Sequence, residues 1–312
     1  MLLAWQEFLK GKRNKKDVQG FYFNLMDNIL SLHNDLKNYT YKHGGYECFK
    51  VNDPKPRTIH KASVRDRLLH HAVYRILYPF FDKTFIPDSF SCRNNKGTHK
   101  AINKLREFAY QVSKNNTKAC RILKCDIRKF FASIDQNILI GILKQYIPDK
   151  DLLDLLEEIV FSFKSNGLPL GNLTSQLFSN VYLNEFDQFI KHKLKVKHYI
   201  RYADDFVVLS EDEKYLENMI LKIKYFLKNK LKMQLHPDKI YIKTLYSGID
   251  FLGWMNFFDH KVLRVKTKRR MFLKIKKNSS IETLNSYLGL LKQGNTKVIQ
   301  NKLLKIIYYI HS

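Results

Sequence analysis

The sequence has 312 residues, 45% of them apolar, which is enough for one large hydrophobic core or two modest ones. Lysine and arginine outnumber aspartate and glutamate by 55 to 29, so the formal net charge is +26 and the pI is about 9.7. This charge favours a polyanionic partner, and 13% aromatic residues make nucleic acid the leading candidate. A membrane surface is the weaker alternative, because no apolar run approaches the length of a span and residues 1–7 are too soon polar for a signal peptide.

The four cysteines show no spacing typical of a zinc site or a disulfide framework. Cys48, Cys92, Cys120 and Cys125 include no CxxC pair. We therefore expect free, buried thiols in a reducing compartment, which predicts a cytoplasmic protein.

The N-terminal third alternates helical and extended patterns. From Trp5 to about Tyr41 apolar residues recur at helical spacing, and the basic run at residues 10–16 is either a solvated face or an arm that contacts phosphate. An extended segment after residue 45, a turn at residues 53–56 and a second extended segment predict a basic ribbon. Lys55, Arg57 and Lys61 on this ribbon could hold a triphosphate, although an ordinary basic hairpin explains them equally well.

Three acidic residues follow or interrupt strand-like segments. The run Arg121–Asp126 predicts a strand that ends in an acid, and residues 199–210 predict a β-hairpin with Asp204 and Asp205 at its tip. On their own, two adjacent acids are explained as a solvated turn. Together with Asp126 they form the set that two Mg²⁺ ions, roughly 4 Å apart, require to catalyse phosphoryl transfer.

These residues resemble a known family. Tyr202-Ala-Asp-Asp205 is similar to the YxDD box of reverse transcriptases, and Asp126 matches their first catalytic aspartate. The resemblance implies an α/β (α+β) right-hand polymerase: fingers with an N-terminal helical extension over residues 1–118, an antiparallel-sheet palm over 119–254 and a small helical thumb over 255–312. It also implies two Mg²⁺ ions, held by Asp126, Ile127, Asp204 and Asp205, and dNTP substrates.

A second sequence motif makes the resemblance specific to one subfamily. Residues 167–176 have Leu170 where most reverse transcriptases carry glutamine, and the box ends in Ser175-Gln176 rather than Ser-Pro. This form resembles the reverse transcriptases of diversity-generating retroelements, and so do the boxes at residues 59–62, 64–67, 89–93, 97–100 and 286–292. The subfamily implies error-prone copying of a template RNA into cDNA, chiefly at adenines, with a small basic accessory protein that forms a pentameric barrel.

The resemblance also assigns roles to individual residues. It implies that Phe131 is a steric gate against ribonucleotides and that Lys239 is a possible general acid toward pyrophosphate. The other residues implied to bind the nucleotide or the primer end are Lys55, Arg57, Leu170, Gly171 and Gln176 for the nucleotide, and Phe251, Leu252, Gly253 and Trp254 for the primer grip. Leu170 cannot form the hydrogen bond that a glutamine could offer near the nascent base pair, which would weaken discrimination between right and wrong pairs.

Two kinds of alternative stay open. Within the same class, the chain could be a retron-, group II intron- or phage-defence-type reverse transcriptase. From a different class, it could be an RNA-binding or splicing cofactor that kept the fold and lost catalysis, although all three acids are present. The dense positive charge of residues 266–277 predicts a thumb that lies on the backbone of a nucleic-acid duplex.

Overall fold

The computed structural model describes residues 1–52, 56–277 and 280–311, and its N-terminal part is mostly helical. The stretch expected to be helical up to about residue 41 forms three helices, because the chain turns at Gly11 (φ +69°) and again at Asn24. The elements of this part are α1 Leu2–Phe8, α2 Lys16–Phe23, α3 Leu25–Lys37, β1 Tyr46–Val51, β2 Arg57–Ala62, α4 Val64–Asp82 and α5 Thr98–Val112.

Strands β1 and β2 form the predicted ribbon. They pair antiparallel from Tyr46 opposite Ala62 to Val51 opposite Arg57. Five of the six side chains of β1 are exposed, so the ribbon projects from the body of the protein. Lys55 lies outside the described residues.

The central part is a four-stranded antiparallel sheet with helices on both faces. Its strand order is β4-β5-β3-β6. The elements are β3 Arg121–Asp126, α6 Phe130–Ser133, α7 Gln136–Tyr146, α8 Lys150–Phe161, α9 Leu173–Gln188, β4 Tyr199–Tyr202, β5 Asp205–Ser210, α10 Glu213–Leu231 and β6 Tyr241–Thr244.

Alternate residues of the central strands enter two hydrophobic cores. Cys125 and Phe206 pack with α9 and α10 on one face, whereas Ile122 and Val207 pack with α5 on the other. Burial on both faces explains why Phe206–Leu209 is a continuous apolar run rather than an alternating one. The sheet is therefore a rigid platform whose strand ends carry the acids.

A second, three-stranded sheet joins this platform to a helical C-terminal part. Its strand order is β7-β8-β9, so the sheet continues beyond residue 254, the boundary expected between palm and thumb. Gly294 lies directly against the buried Trp254 ring, where a Cβ atom would come within 2.2 Å. The elements are β7 Ile249–Phe251, β8 Trp254–Asn256, β9 Lys261–Leu263, α11 Val265–Lys277, α12 Ile281–Leu291 and α13 Lys297–His311.

The cysteines are free, as expected, but only two of them are buried. Cys120 and Cys125 lie in the core, whereas Cys48 on the projecting ribbon and Cys92 in a loop are exposed. Over the described ranges, none of the helices combines the length and the apolar character that crossing a membrane requires.

Candidate functional site

Strand pairing brings the three acids together at one end of the central sheet. Asp126 at the end of β3 is the register partner of Asp205 at the start of β5. Tyr202 pairs with Asp205 across the hairpin, so Ala203 and Asp204 form its two-residue turn, with Ala203 at φ +55°. The Ile127 amide donates a hydrogen bond to the Asp204 carbonyl oxygen at 3.0 Å, which fixes the turn against the end of β3.

The acids line a cleft of about 1060 Å³ between the ribbon, the central sheet and helix α11. Arg57 enters it from the ribbon, Leu252 from the β7–β8 turn and Lys266 from α11. Parts of the chain more than 200 residues apart in sequence, such as Arg57 and Lys266, thus face the same three carboxyl groups. A long polyanion could lie in this cleft with its phosphates near the surrounding cations.

Burial makes ionisation of the two turn aspartates unfavourable. Burial, and secondarily the nearby Asp126 charge, raise the pKa of Asp204 above its ordinary value. Burial raises the pKa of Asp205 to about 7, although the ammonium of Lys124 acts in the opposite direction. An added cation would therefore stabilise the ionised carboxylates.

Two lysines already supply part of that positive charge. Lys239 Nζ lies 2.7 Å from Asp126 Oδ1, and Lys124 Nζ lies 3.2 Å from Asp205 Oδ2. Lys124 was missed by sequence reasoning, although its position two residues before Asp126 on the same strand puts both side chains on one face.

The donor chemistry fits a hard divalent cation such as Mg²⁺. Carboxylate oxygens are its preferred protein ligands, and Asp205 Oδ1 is buried with no hydrogen-bond partner. Within residues 1–52, 56–277 and 280–311, however, no three acidic, histidine or cysteine side chains already converge as a metal site. Lys239 and Lys124 each contact one oxygen of Asp126 and Asp205, so a bound ion would compete with these ammonium groups for the carboxylates.

The residues expected to bind a nucleotide are only partly brought together. Arg57, Phe131 and Leu170 all line the cleft, and the Arg57 charge opposes, to a small extent, the rise in the pKa of Asp204 that burial causes. Gln176 is exposed on the first turn of α9 and is not among the residues that line the cleft. Lys55 lies outside the described residues.

The loop that carries Leu170 is held against the ribbon. The His60 amide donates to the Leu170 carbonyl oxygen at 2.9 Å, and Asn172 Nδ2 donates to the His60 carbonyl oxygen at 2.9 Å. Gly171 between them has φ +110°, and a Cβ atom there would lie 2.7 Å from Ile59 Cγ2. Close approach and left-handed backbone together require glycine at this position.

The expected primer grip divides into a half-buried tip and a buried base. Leu252 (φ +53°) and Gly253 (φ +86°) form the turn between β7 and β8, and Leu252 lines the cleft. Phe251 and Trp254 are 0% and 1% exposed, so their rings pack in the core and do not face the cleft.

Helix α11 contributes cations from the basic stretch that the sequence predicts to lie on the backbone of a duplex, although the individual residues were not singled out. Lys266, Arg269 and Arg270 line the cleft, while Met271 and Ile275 on the opposite stripe are buried. The spacing of three and four residues between the lining cations could have identified this face from the sequence.

Comparisons with known proteins assign the chain to a protein family. A model described as "Reverse transcriptase (RNA-dependent DNA polymerase)" matches residues 49–256. Protein YkfC of Escherichia coli (strain K12) is 24% identical over 256 residues, covering 69% of this chain and 65% of that protein. Group II intron-encoded protein LtrA of Lactococcus lactis subsp. cremoris is 26% identical, covering 75% and 50%. A putative COX1/OXI3 intron 2 protein of Saccharomyces cerevisiae is 22% identical, covering 86% and 36%.

The chain thus spans about a third to two thirds of the length of these relatives. Among solved structures, telomerase from Candida tropicalis, with a fragment of telomeric RNA, has a TM-score of 0.58 at 12% identity, covering 89% of this chain and 58% of that one. Telomerase from Candida albicans gives 0.54 at 12% identity, covering 86% and 55%. These likenesses confirm the predicted mixed fold with an antiparallel palm sheet. The chain belongs to the reverse transcriptase (RNA-dependent DNA polymerase) family.

Proposed function

We propose that the chain is an RNA-directed DNA polymerase that extends a DNA primer on an RNA template. The observation that carries the proposal is the meeting of Asp126, Asp204 and Asp205 in a cleft lined by cations from the ribbon and α11. In this proposal the primer 3′-hydroxyl attacks the α-phosphate of a dNTP. Asp126 and Asp204 would hold two Mg²⁺ ions, assisted by Asp205 and by the Ile127 backbone; these ions supply Lewis-acid stabilisation of the attacking and leaving oxygens.

We propose roles for other side chains of the cleft, each supported by its position. Arg57 binds the triphosphate by charge-assisted hydrogen bonds, and Phe131 lies beneath the sugar. Lys239 carries an ammonium group 2.7 Å from Asp126, which suits donation of a proton to departing pyrophosphate. Lys266, Arg269 and Arg270 contact the phosphates of the primer–template duplex, which positions it without reading its sequence.

Among reverse transcriptases we propose that this chain is of the diversity-generating type, which copies its template RNA with errors at adenines. We also propose that it acts in the cytoplasm. Support comes from Leu170, which is half-buried and lines the cleft with a side chain that cannot form hydrogen bonds. Four unpaired cysteines fit a reducing compartment. This type implies the small basic accessory protein as a partner, in addition to template RNA and cDNA.

A second candidate is an intron-type reverse transcriptase, because two of the relatives are named as intron proteins. One experiment separates the two candidates: extension of a primer on a defined RNA template with Mg²⁺ and four dNTPs, followed by sequencing of the cDNA. Errors concentrated opposite adenines support the diversity-generating type, and faithful extension supports the intron type. No extension, even with the accessory protein and cognate RNA, would favour a non-catalytic RNA-binding cofactor.

We expect Leu170→Gln to lower the error frequency opposite template adenines by about tenfold. A glutamine could donate and accept hydrogen bonds beside the nascent pair, and each 1.4 kcal/mol of added discrimination corresponds to about a factor of ten. The measurement is the error frequency per template adenine. Leu221→Gln, at an exposed position on α10, is the matched control. An unchanged error frequency in an active Leu170→Gln variant would contradict this role.

We expect Gly171→Ala to raise the KM for dNTP by roughly tenfold. Alanine at φ +110° is strained, and its Cβ would press on Ile59, so the loop that carries Leu170 would move away from the ribbon. Steady-state extension at varied dNTP measures the effect. Gly141→Ala on α7, where a Cβ would meet nothing within 4 Å, should leave KM unchanged. Equal KM values for both variants would show that the loop is not coupled to nucleotide binding.

A further inference from the structure

A completely buried ion pair lies directly behind the Ala203–Asp204 turn, which we call the catalytic turn. Arg201 on β4 and Asp187 on α9 are both 0% exposed. Arg201 Nε and Nη2 donate to the two Asp187 carboxylate oxygens at 2.8 and 2.6 Å, and the Tyr199 hydroxyl donates to Asp187 Oδ1 at 2.7 Å. Burying two charges is costly compared with an apolar pair of similar volume, so the pair calls for an explanation beyond stability.

The remaining donors of Arg201 are directed to the catalytic turn and its surroundings. Nη1 donates to the Ala203 carbonyl oxygen at 3.1 Å and to Asn180 Oδ1 at 3.4 Å, while Nη2 donates to Ser89 Oγ at 3.1 Å. Ala203 immediately precedes Asp204 and has the left-handed φ of +55°, a conformation that alanine adopts only when its surroundings enforce it. The guanidinium is thus one of the groups that hold this conformation.

The same arginine also anchors the segment at residues 88–90, which belongs to a sequence box with no role in the chemistry described above. The Arg201 amide donates to the Asp88 carbonyl oxygen at 3.0 Å, and the Phe90 amide donates to the Arg201 carbonyl oxygen at 3.0 Å. Asn180 adds a hydrogen bond from Nδ2 to the Ser91 carbonyl oxygen at 2.9 Å. Residues 88–91, α9, β4 and the turn therefore meet around one planar, five-donor side chain.

We propose that Arg201 is a positioning residue: it fixes the Ala203 carbonyl so that the Asp204 carboxyl group faces Asp126. Asp187 neutralises and orients the guanidinium, and residues 89–91 close the site around it. The catalytic consequence rests on the proposed polymerase function, whereas the placement of the turn does not. A merely stabilising pair would be replaceable by uncharged side chains without effect on the turn.

The test is the double variant Arg201→Met with Asp187→Asn. It removes both charges together, because Arg201→Met alone would leave the Asp187 carboxylate buried and unpaired and can prevent folding. The amide oxygen introduced at position 187 still accepts from the Tyr199 hydroxyl. Leu143→Ala in the core, at 0% exposure on α7, is the control with reduced stability and an intact turn network.

Two measurements are made on both variants and on wild type. Amide hydrogen exchange follows residues 203–206 and Ile127, whose amide donates to the Asp204 carbonyl oxygen. Single-nucleotide extension gives kcat and the KM for dNTP. For the double variant we expect at least tenfold faster exchange at these amides and at least tenfold lower kcat, with KM within twofold of wild type; Leu143→Ala should show neither change beyond its global loss of stability.

The outcomes separate this proposal from the proposed function. Exchange and kcat equal to those of wild type would overturn it and leave the pair with a structural role. Faster exchange with unchanged kcat, or lower kcat with unchanged exchange, would overturn the link between turn and catalysis. If wild type itself extends no primer, the polymerase function fails, and the exchange data alone decide whether Arg201 positions the turn.

Discussion

Replacing Asp204 by asparagine is expected to reduce primer extension by roughly a thousandfold or more while the protein stays folded. Asparagine has nearly the same shape but no charge, so it would hold a divalent cation beside Asp126 much more weakly than the carboxylate. A thousandfold loss corresponds to about 4 kcal/mol of transition-state stabilisation, a plausible share of what metal-ion catalysis supplies. Burial and the Asp126 charge raise the pKa of Asp204, so the carboxylate is unfavourable in the metal-free protein. The neutral variant should therefore be at least as stable as wild type without metal.

A large loss of activity without a loss of stability is the result that would identify a catalytic role for Asp204. Single-turnover extension measures the first, and thermal unfolding in EDTA measures the second. Asp154→Asn, at an exposed position on α8, is the control and should change neither quantity. Extension by Asp204→Asn at the wild-type rate would remove Asp204 from the chemistry. A large loss of stability would mean that the carboxylate has a structural role instead.

The sequence was sufficient to predict the elements that carry the three acids, because a strand end and a hairpin tip are recognised from local patterns. A strand that ends in Asp126 and a hairpin whose tip carries two acids need one pairing, β3 with β5, to converge. Antiparallel pairing at the ends of apolar strands makes that convergence natural. The ribbon followed from similar rules, since its two extended segments flank a proline-containing turn.

Other features depend on tertiary packing that no local pattern encodes. Phe251 and Trp254 occupy three-residue strands, which are too short for alternation to reveal the buried face; both rings proved to be core. Gln176 follows the start of α9 by only three residues, and the face it occupies depends on where that helix begins. The partners of Arg201 lie at positions 89, 180, 187 and 203, so the network became visible only in three dimensions.

The position of Phe131 leads to the second large expected effect: Phe131→Ala should lower selection of dNTP over rNTP by roughly a hundredfold. The ring lines the cleft and packs edge-on against Phe130 at 5.2 Å between centroids. Its backbone is fixed, because the Phe131 carbonyl accepts from the Leu168 amide at 2.9 Å and a Cβ on Gly167 would lie 2.1 Å from that oxygen. With its backbone held in this way, the ring would act as a steric barrier to a 2′-hydroxyl in the proposed nucleotide site.

Removing the ring opens space for the hydroxyl without removing any group that binds the phosphates. The dNTP value of kcat/KM should therefore fall only modestly while the rNTP value rises, and a hundredfold change in their ratio corresponds to about 2.7 kcal/mol. The ratio is measured by single-nucleotide extension with each substrate. Phe161→Ala, a ring of equal size that is 36% exposed at the end of α8, is the matched control and should leave the ratio unchanged. An unchanged ratio in Phe131→Ala would mean that ribonucleotides are excluded by a group other than this ring, because a steric barrier cannot survive the loss of the atoms that form it.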